Sequence, residues 1–194
     1  MHSQLTALLR QRLAAGQRTL CVIDGCCGAG KTTLAAALSE QFANAPVIHM
    51  DDFFLPFDLR TPERLAQPGG NVHHERFARE VLPGLESGGP FCYRRFDCAT
   101  GQLEEKHCPE APLIIVEGSY SLHPAFQAAW QRLDALTVFL SVGEEEQLRR
   151  IARRAPEKLQ AFVEKWIPLE KNYFRGYHIE QWAQLRLESP APEE

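Results

Sequence analysis

Leu5, Leu8, Leu9 and Leu13 recur at helical spacing, so the chain opens on an amphipathic helix that ends near Gly16. The next apolar run, Thr19 to Ile23, is short and is stopped by Asp24-Gly25, the pattern of a strand covered on both faces. Helix formers dominate from Thr32 to Phe42. Pro46 to Met50 reads as a second strand that runs straight into Asp51-Asp52-Phe53-Phe54. From Leu55 to Asn71 the chain is rich in Pro and Gly and weakly periodic, as in a loop or flap. Glu75 to Leu85 predicts a helix, and Phe91 to Lys106 a small hairpin. Later strands are expected over Leu113 to Val116 and Leu136 to Leu140. Helices are expected around Ala125 to Arg132 and from Glu144 to Arg154, the latter resuming after Pro156.

Strand and helix alternate over most of the length, which predicts an α/β fold: a mostly parallel sheet, helices on both faces and right-handed crossovers. One domain is expected over residues 1–194, with a flap at about 55–106 and a lid at about 144–157. The tail Glu188 to Glu194, made of Ser, Pro, Ala and Glu, reads as mobile. The segment Leu159, Phe162, Val163, Trp166 and Leu169 has helical spacing suited to packing in the core or against another subunit, so a homo-oligomer stays open.

Composition narrows the function classes. With 44% apolar and 24% charged residues the chain is not a disordered one. A net charge of −4 without a basic block gives no reason to expect nucleic-acid or membrane-surface partners. No apolar run approaches membrane-spanning length, and Arg10 and Arg12 interrupt the first segment, unlike a secretory signal. A cytoplasmic protein is expected, its six cysteines reduced. Cys92, Cys98, His107 and Cys108 match no standard zinc spacing.

Gly25-Cys26-Cys27-Gly28-Ala29-Gly30-Lys31-Thr32 matches GxxxxGK[ST] and lies between a strand and a helix, where its mechanism requires. Small residues let successive backbone N–H groups turn inward around a polyphosphate, and the helix start adds partial positive charge. Lys31 is expected on the outer phosphates, the Thr32 hydroxyl on Mg²⁺, and Thr33 at the same helix start. Cys26 and Cys27 suggest redox chemistry, but a small side chain is all these positions need.

In open α/β sheets ligands sit beyond the carboxyl ends of the strands, so the acids placed there matter most. Asp51-Asp52 follows the second strand, and Glu117 follows Leu113 to Val116. Glu117 is expected to complete a Mg²⁺ shell with Thr32. Asp51 or Asp52 is the candidate to accept a proton from a hydroxyl and to reach the metal; alternation along a strand turns only one of them inward. Arg149, Arg150, Arg153 and Arg154 crowd one helix. Glu145–Arg149 and Glu146–Arg150 pairs give an ordinary solvated face, whereas Arg149–Arg153 and Arg150–Arg154 repel unless an anion lies between them. A lid delivering Arg to a transferring phosphoryl group supplies that anion.

These motifs, together with Ile115-Val116-Glu117-Gly118-Ser119-Tyr120 and Leu148-Arg149-Arg150-Ile151, resemble the uridine kinase-like group of P-loop kinases, over about residues 19 to 175. Gly69-Gly70-Asn71, Tyr93 to Cys98 and Trp166 to Glu170 are similar to bacterial uridine kinase-like proteins. The resemblance implies a P-loop NTPase fold, ATP as donor, Mg²⁺ as cofactor, Asp51 as the base, and an arginine lid from Arg149 to Arg153 with Arg150 and Arg153 catalytic. The segments that read pyrimidine and ribose in uridine kinases have no counterpart here. The implied activity is phosphoryl transfer to a hydroxyl of a nucleoside-like acceptor, with nicotinamide riboside, pantothenate or a sugar as alternatives. Asp52, Phe53, Asn71, His73, Arg94, Arg95 and Phe96 are the expected acceptor contacts. A nucleotide-binding switch ATPase is the rival class; the NKxD and DxxG segments of a GTPase are absent from the sequence.

Overall fold

The computed structural model describes residues 2–189. Helix α1 (Ser3–Ala14) buries Leu5 and Leu9 completely. Strand β1 (Thr19–Gly25), buried at every residue, leads through the glycine-rich loop into α2 (Lys31–Gln41). Strand β2 (Val47–His49) passes into a 3-10 turn, Met50–Phe53. The expected flap holds a second 3-10 turn, Phe57–Leu59, and the short helix α3 (Pro62–Ala66), whose Arg64 N–H donates to the Thr61 hydroxyl. The single helix expected over Glu75 to Leu85 is two, α4 (His74–Glu80) and α5 (Leu82–Ser87). Pro83 divides them, because it lacks an N–H and its ring opposes the carbonyl four residues back. Strands β3 (Phe91–Phe96) and β4 (Leu103–Cys108) form the expected hairpin, with Phe91 opposite Cys108 and Phe96 opposite Leu103.

Strand β5 (Leu113–Glu117), α6 (Pro124–Arg132), β6 (Leu136–Ser141) and α7 (Glu144–Arg154) follow as expected. After Pro156 the helix does not simply resume. A 3-10 turn (Pro156–Lys158), α8 (Leu159–Ala161), a π-helical turn (Phe162–Trp166) and α9 (Ile167–Gly176) form one irregular rod. Then come α10 (Ile179–Trp182) and β7 (Leu185–Glu188), neither expected. Glu188 thus belongs to a strand, and the Ser189 N–H donates to Ser141 O at 2.9 Å, so these first two residues of the tail expected to be mobile are fixed at the sheet edge. The remainder of that tail, 190–194, lies outside the described residues.

The sheet runs β2-β5-β1-β6-β7, every adjacent pair parallel. Alternate residues feed two cores. Cys21, Ile23, Ile115 and Val138 pack with α1 and α2, while Leu20, Val22, Ile114 and Val116 pack with α4, α5 and α6. Both faces are covered, which is why these strands read as unbroken apolar runs. Burying each large apolar side chain contributes about 1.5–3 kcal/mol. Glu117 pairs with Ile23 on one side and His49 on the other. The register therefore brings the glycine-rich loop, Glu117 and the Asp51 turn to one end of the sheet. Among the described residues no helix is long and apolar enough to cross a membrane.

Candidate active site

The loop after β1 is shaped by backbone that only glycine tolerates. Gly25 has φ +143°, and a Cβ there would lie 2.0 Å from Leu140 O; Gly30, at φ +94°, caps α2. Lys31 is buried at the start of α2. Its Nζ donates to Gly25 O (2.7 Å), Cys26 O (2.9 Å) and Ser119 Oγ (3.1 Å). Thr32 Oγ1 donates to Glu117 Oε1 at 3.1 Å, and His49 Nδ1 lies 2.5 Å from the same oxygen. That hydrogen bond raises the His49 pKa.

Asp24, fully buried, fastens the loop after β5 to β1. Its carboxylate accepts from the N–H groups of Gly25 (2.7 Å), Tyr120 (3.1 Å) and Leu122 (2.8 Å) and from the Tyr173 hydroxyl (2.8 Å). Burial nevertheless outweighs these bonds and raises its pKa to about 6. A second carboxylate comes from α9. Glu170 Oε2 accepts from the Cys27 N–H at 3.0 Å, and Oε1 from the Ser119 hydroxyl at 2.6 Å. The Cys27 thiol is held protonated by burial first and by Glu170 next, and burial likewise raises Cys26. Neither is the activated thiolate that a redox role needs.

A cavity of about 620 Å³ opens above these groups. From the expected nucleotide set it is lined by Cys27, Gly28, Gly30, Lys31, Thr32 and Thr33, and from the expected metal set by Thr32, Asp51 and Glu117. Gly25, Cys26 and Ala29 shape the loop from behind, Ala29 being buried. Asp51 is open to the cavity, but the surrounding protein, and then Glu117, raises its carboxyl pKa. The 3-10 turn resolves the Asp51–Asp52 ambiguity: Asp52 turns away and accepts from the Tyr93 hydroxyl at 3.2 Å. The oxygen donors Thr32, Glu117 and Asp51 suit a hard cation such as Mg²⁺. Among the described residues no group of three His, Cys, Asp or Glu is arranged to hold a metal ion.

Of the expected acceptor contacts only Asn71 lines the cavity. Phe53 is fully buried between Phe77 and Tyr93, because the 3-10 turn directs it into the core. Phe96 is buried against Phe57, and His73 caps α4 by accepting from the Arg76 N–H. Arg94 pairs with Glu80, and Arg95 lies 4.0 Å from Asp52 and from Glu104.

The arginine helix is also placed differently. Arg149 pairs with Glu145 (3.7 Å), as the solvated-face pattern predicts, and also with Glu146 (2.7 Å). Arg150 grips the loop from outside, donating to Gly28 O (3.2 Å) and Ser189 Oγ (2.8 Å) and pairing with Glu146 (2.6 Å). Arg153 is exposed and lies off the cavity wall. The cations that line the cavity from this side are Arg154, Lys158 and Lys165, the last on the π-helical turn with its Nζ 5.0 Å from the Trp166 ring centre. Arg154 follows from its i,i+4 relation to Arg150; Glu170 ends the Trp166 to Glu170 segment of the resemblance, which assigned it no role, and Lys158 and Lys165 carry no motif of their own. Tyr120, another cavity residue, holds φ +80°, a strained conformation of the kind concentrated at functional sites.

No family model matches this chain, and no curated protein sequence does. Solved structures do. A possible uridine kinase from Bacillus stearothermophilus superposes with a TM-score of 0.68 at 17% identity, over 96% of this chain and 98% of that one. YFH7 from Saccharomyces cerevisiae, a circularly permuted candidate P-loop kinase, gives a TM-score of 0.68 at 12% identity, over 98% and 99%. The chain has the fold of the uridine kinase-like P-loop kinases.

Proposed function

We propose that this protein is an ATP- and Mg²⁺-dependent kinase that moves the γ-phosphoryl group onto a hydroxyl of a small acceptor. The observation that carries the reading is the meeting of Lys31, Thr32, Glu117 and Asp51 around one cavity at the strand ends. A nucleoside-like alcohol is the acceptor that the resemblance favours; nicotinamide riboside, pantothenate or a sugar uses the same donor groups. A cytoplasmic setting, with no nucleic-acid or membrane partner, belongs to the same reading, and a homo-oligomer is compatible with it.

Lys31 exchanges backbone carbonyls for the outer phosphates, while the loop N–H groups hold the polyphosphate. Thr32 and Glu117, with Asp51 beside them, would hold Mg²⁺, which when bound would supply neutralisation of phosphate charge. Asp51 accepts the proton of the incoming alcohol, and its raised pKa brings it nearer neutrality and makes it a better base. Arg154, Lys158 and Lys165 face the same space and stabilise the charge of the transferring group. Arg150 holds the loop, a positioning role, while Arg149 pairs with Glu145 and Glu146 and Arg153 is exposed.

The experiment is ADP formation from Mg-ATP against pools of nucleosides, vitamins and sugars, with product mass as readout. A pool-dependent rate and a phosphorylated alcohol support the kinase. Hydrolysis at one rate in every pool favours a switch ATPase.

A further inference from the structure

We infer that the accepted alcohol carries a negatively charged group, a carboxylate or a phosphate, bound by Arg60. This rests on the alcohol-kinase reading above and narrows its acceptor to an anionic class.

Six arginines lie between residues 55 and 106. Five of them face a carboxylate: Arg64 pairs with Glu75 (2.7 Å), Arg76 (3.7 Å), Arg79 (3.8 Å) and Arg94 with Glu80, and Arg95 lies 4.0 Å from Asp52. Arg60 alone has no carboxylate within 4 Å among the described residues, and it alone of the six lines the cavity. A half-buried guanidinium gives up hydration, and without a counter-ion it recovers little of that cost.

Its side chain is held in place. Nε donates to Leu55 O at 2.7 Å, and the Phe57 ring lies under the guanidinium at 4.5 Å. Leu55 is itself fixed, its N–H donating to Asn71 O at 3.0 Å. The two terminal nitrogens are left with one weak neighbour, Cys98 Sγ, 3.9 Å from Nη2. An anchored stem with an open pair of terminal nitrogens is the geometry that takes a carboxylate or phosphate.

The donor does not call for this cation. Lys31 and the loop N–H groups serve its phosphates, as do Arg154 at the end of α7 and Lys158 and Lys165 of the irregular rod that follows it. Arg60 belongs to the wall built by Phe54, Leu65 and Asn71, which contributes nothing to the phosphate-binding loop. An uncharged nucleoside would leave it without a partner. An alcohol whose hydroxyl meets Asp51 and whose anionic group meets Arg60 uses both.

The test compares glycerol, glycerate and glycerol 3-phosphate, then ribose, ribonate and ribose 5-phosphate, with uridine as the uncharged nucleoside. Wild type, Arg60→Gln and Arg60→Lys are assayed with Mg-ATP. In wild type a charged member exceeds its neutral parent in kcat/KM by about 10- to 100-fold, and the pairs separate carboxylate from phosphate. Arg60→Gln raises the KM of that charged acceptor by a similar factor, with smaller changes in kcat and in the KM for ATP; Arg60→Lys recovers part of the loss. Wild type that prefers neutral alcohols, or Arg60→Gln that raises the KM for ATP and not for the acceptor, overturns the inference.

A second readout separates the two claims. Thermal shifts by the same compounds are measured with the loop filled by Mg²⁺ and a non-hydrolysable ATP analogue. An Arg60-dependent shift without turnover keeps the anion site and removes the kinase reading. Turnover of an alcohol with no Arg60-dependent shift by any carboxylate or phosphate does the reverse.

Discussion

Glu170 accepts a hydrogen bond from the Cys27 N–H at 3.0 Å, placing a carboxylate on the loop proposed to receive phosphate. Through the Ser119 hydroxyl, 2.6 Å from Glu170 and 3.1 Å from Lys31 Nζ, it also serves as the resting counter-charge of the loop lysine. A nucleotide entering this loop must compete with it or push α9 aside. At an effective dielectric of about 20, two like charges a few ångströms apart repel by about 4 kcal/mol before relaxation. Glu170→Gln keeps the shape and removes the charge. It should tighten Mg-ATP and Mg-ADP binding by about 5- to 50-fold, measured by calorimetry. Unchanged or weaker binding would show that Glu170 supports the loop without opposing phosphate.

Asp51 sits in the cavity with its carboxyl pKa raised first by the desolvating protein around it and then by Glu117. As the proton acceptor it must be ionised, so kcat/KM is expected to fall on the acid side with a midpoint above the ordinary aspartate value. Asp51→Asn should lower turnover by about 10²- to 10⁴-fold and abolish that limb, while the fold, followed by circular dichroism, stays intact. A retained limb in Asp51→Asn would assign the titration to another group.

His123 is buried against His74, ring centres 4.4 Å apart, and its Nδ1 accepts from the Ala125 N–H at 3.2 Å. Burial, and next the neighbouring His74, lower its pKa from 6.5 to about 4. Below pH 6.5 the unfolded chain takes a proton that the folded chain refuses until about pH 4. The stability from His123 is therefore complete above pH 6.5 and is lost progressively down to pH 4. Asp24 opposes this, since its raised pKa makes the folded chain take up a proton between about pH 6 and 3.8. His123→Asn, which keeps an acceptor at the helix cap, isolates the first effect. Its urea-unfolding free energy should drop less than that of wild type between pH 7.5 and 5, by about 2 kcal/mol. Parallel pH profiles would refute the assignment.

Much of this was legible because it is local. Strand, glycine-rich turn and helix follow one another within Thr19 to Gln41, and the Leu113 to Glu117 run ends on its acid. By composition Glu188 belongs with the Ser-, Pro- and Glu-rich tail, whereas Leu185 and Leu187 pack on the sheet edge beside β6 and carry it into the strand. Sequence position alone puts Phe53 beside the acceptor, whereas the 3-10 turn directs its ring into the core. Glu170 reaches Cys27 across 143 positions, and no spacing rule announces such a contact. The lid arginines were shifted by helix phase: Arg150 faces the loop, so the next turn brings Arg154, not Arg153, to the cavity.

The central claim is that the loop ending in Lys31 binds a nucleoside triphosphate with its metal. The most direct measurement is calorimetric titration of Mg-ATP into the folded protein and into Lys31→Ala. The account predicts one site per chain in the first and none detectable in the second. A folded wild-type protein that binds no nucleoside triphosphate with magnesium present, or a Lys31→Ala variant that binds equally well, would contradict it.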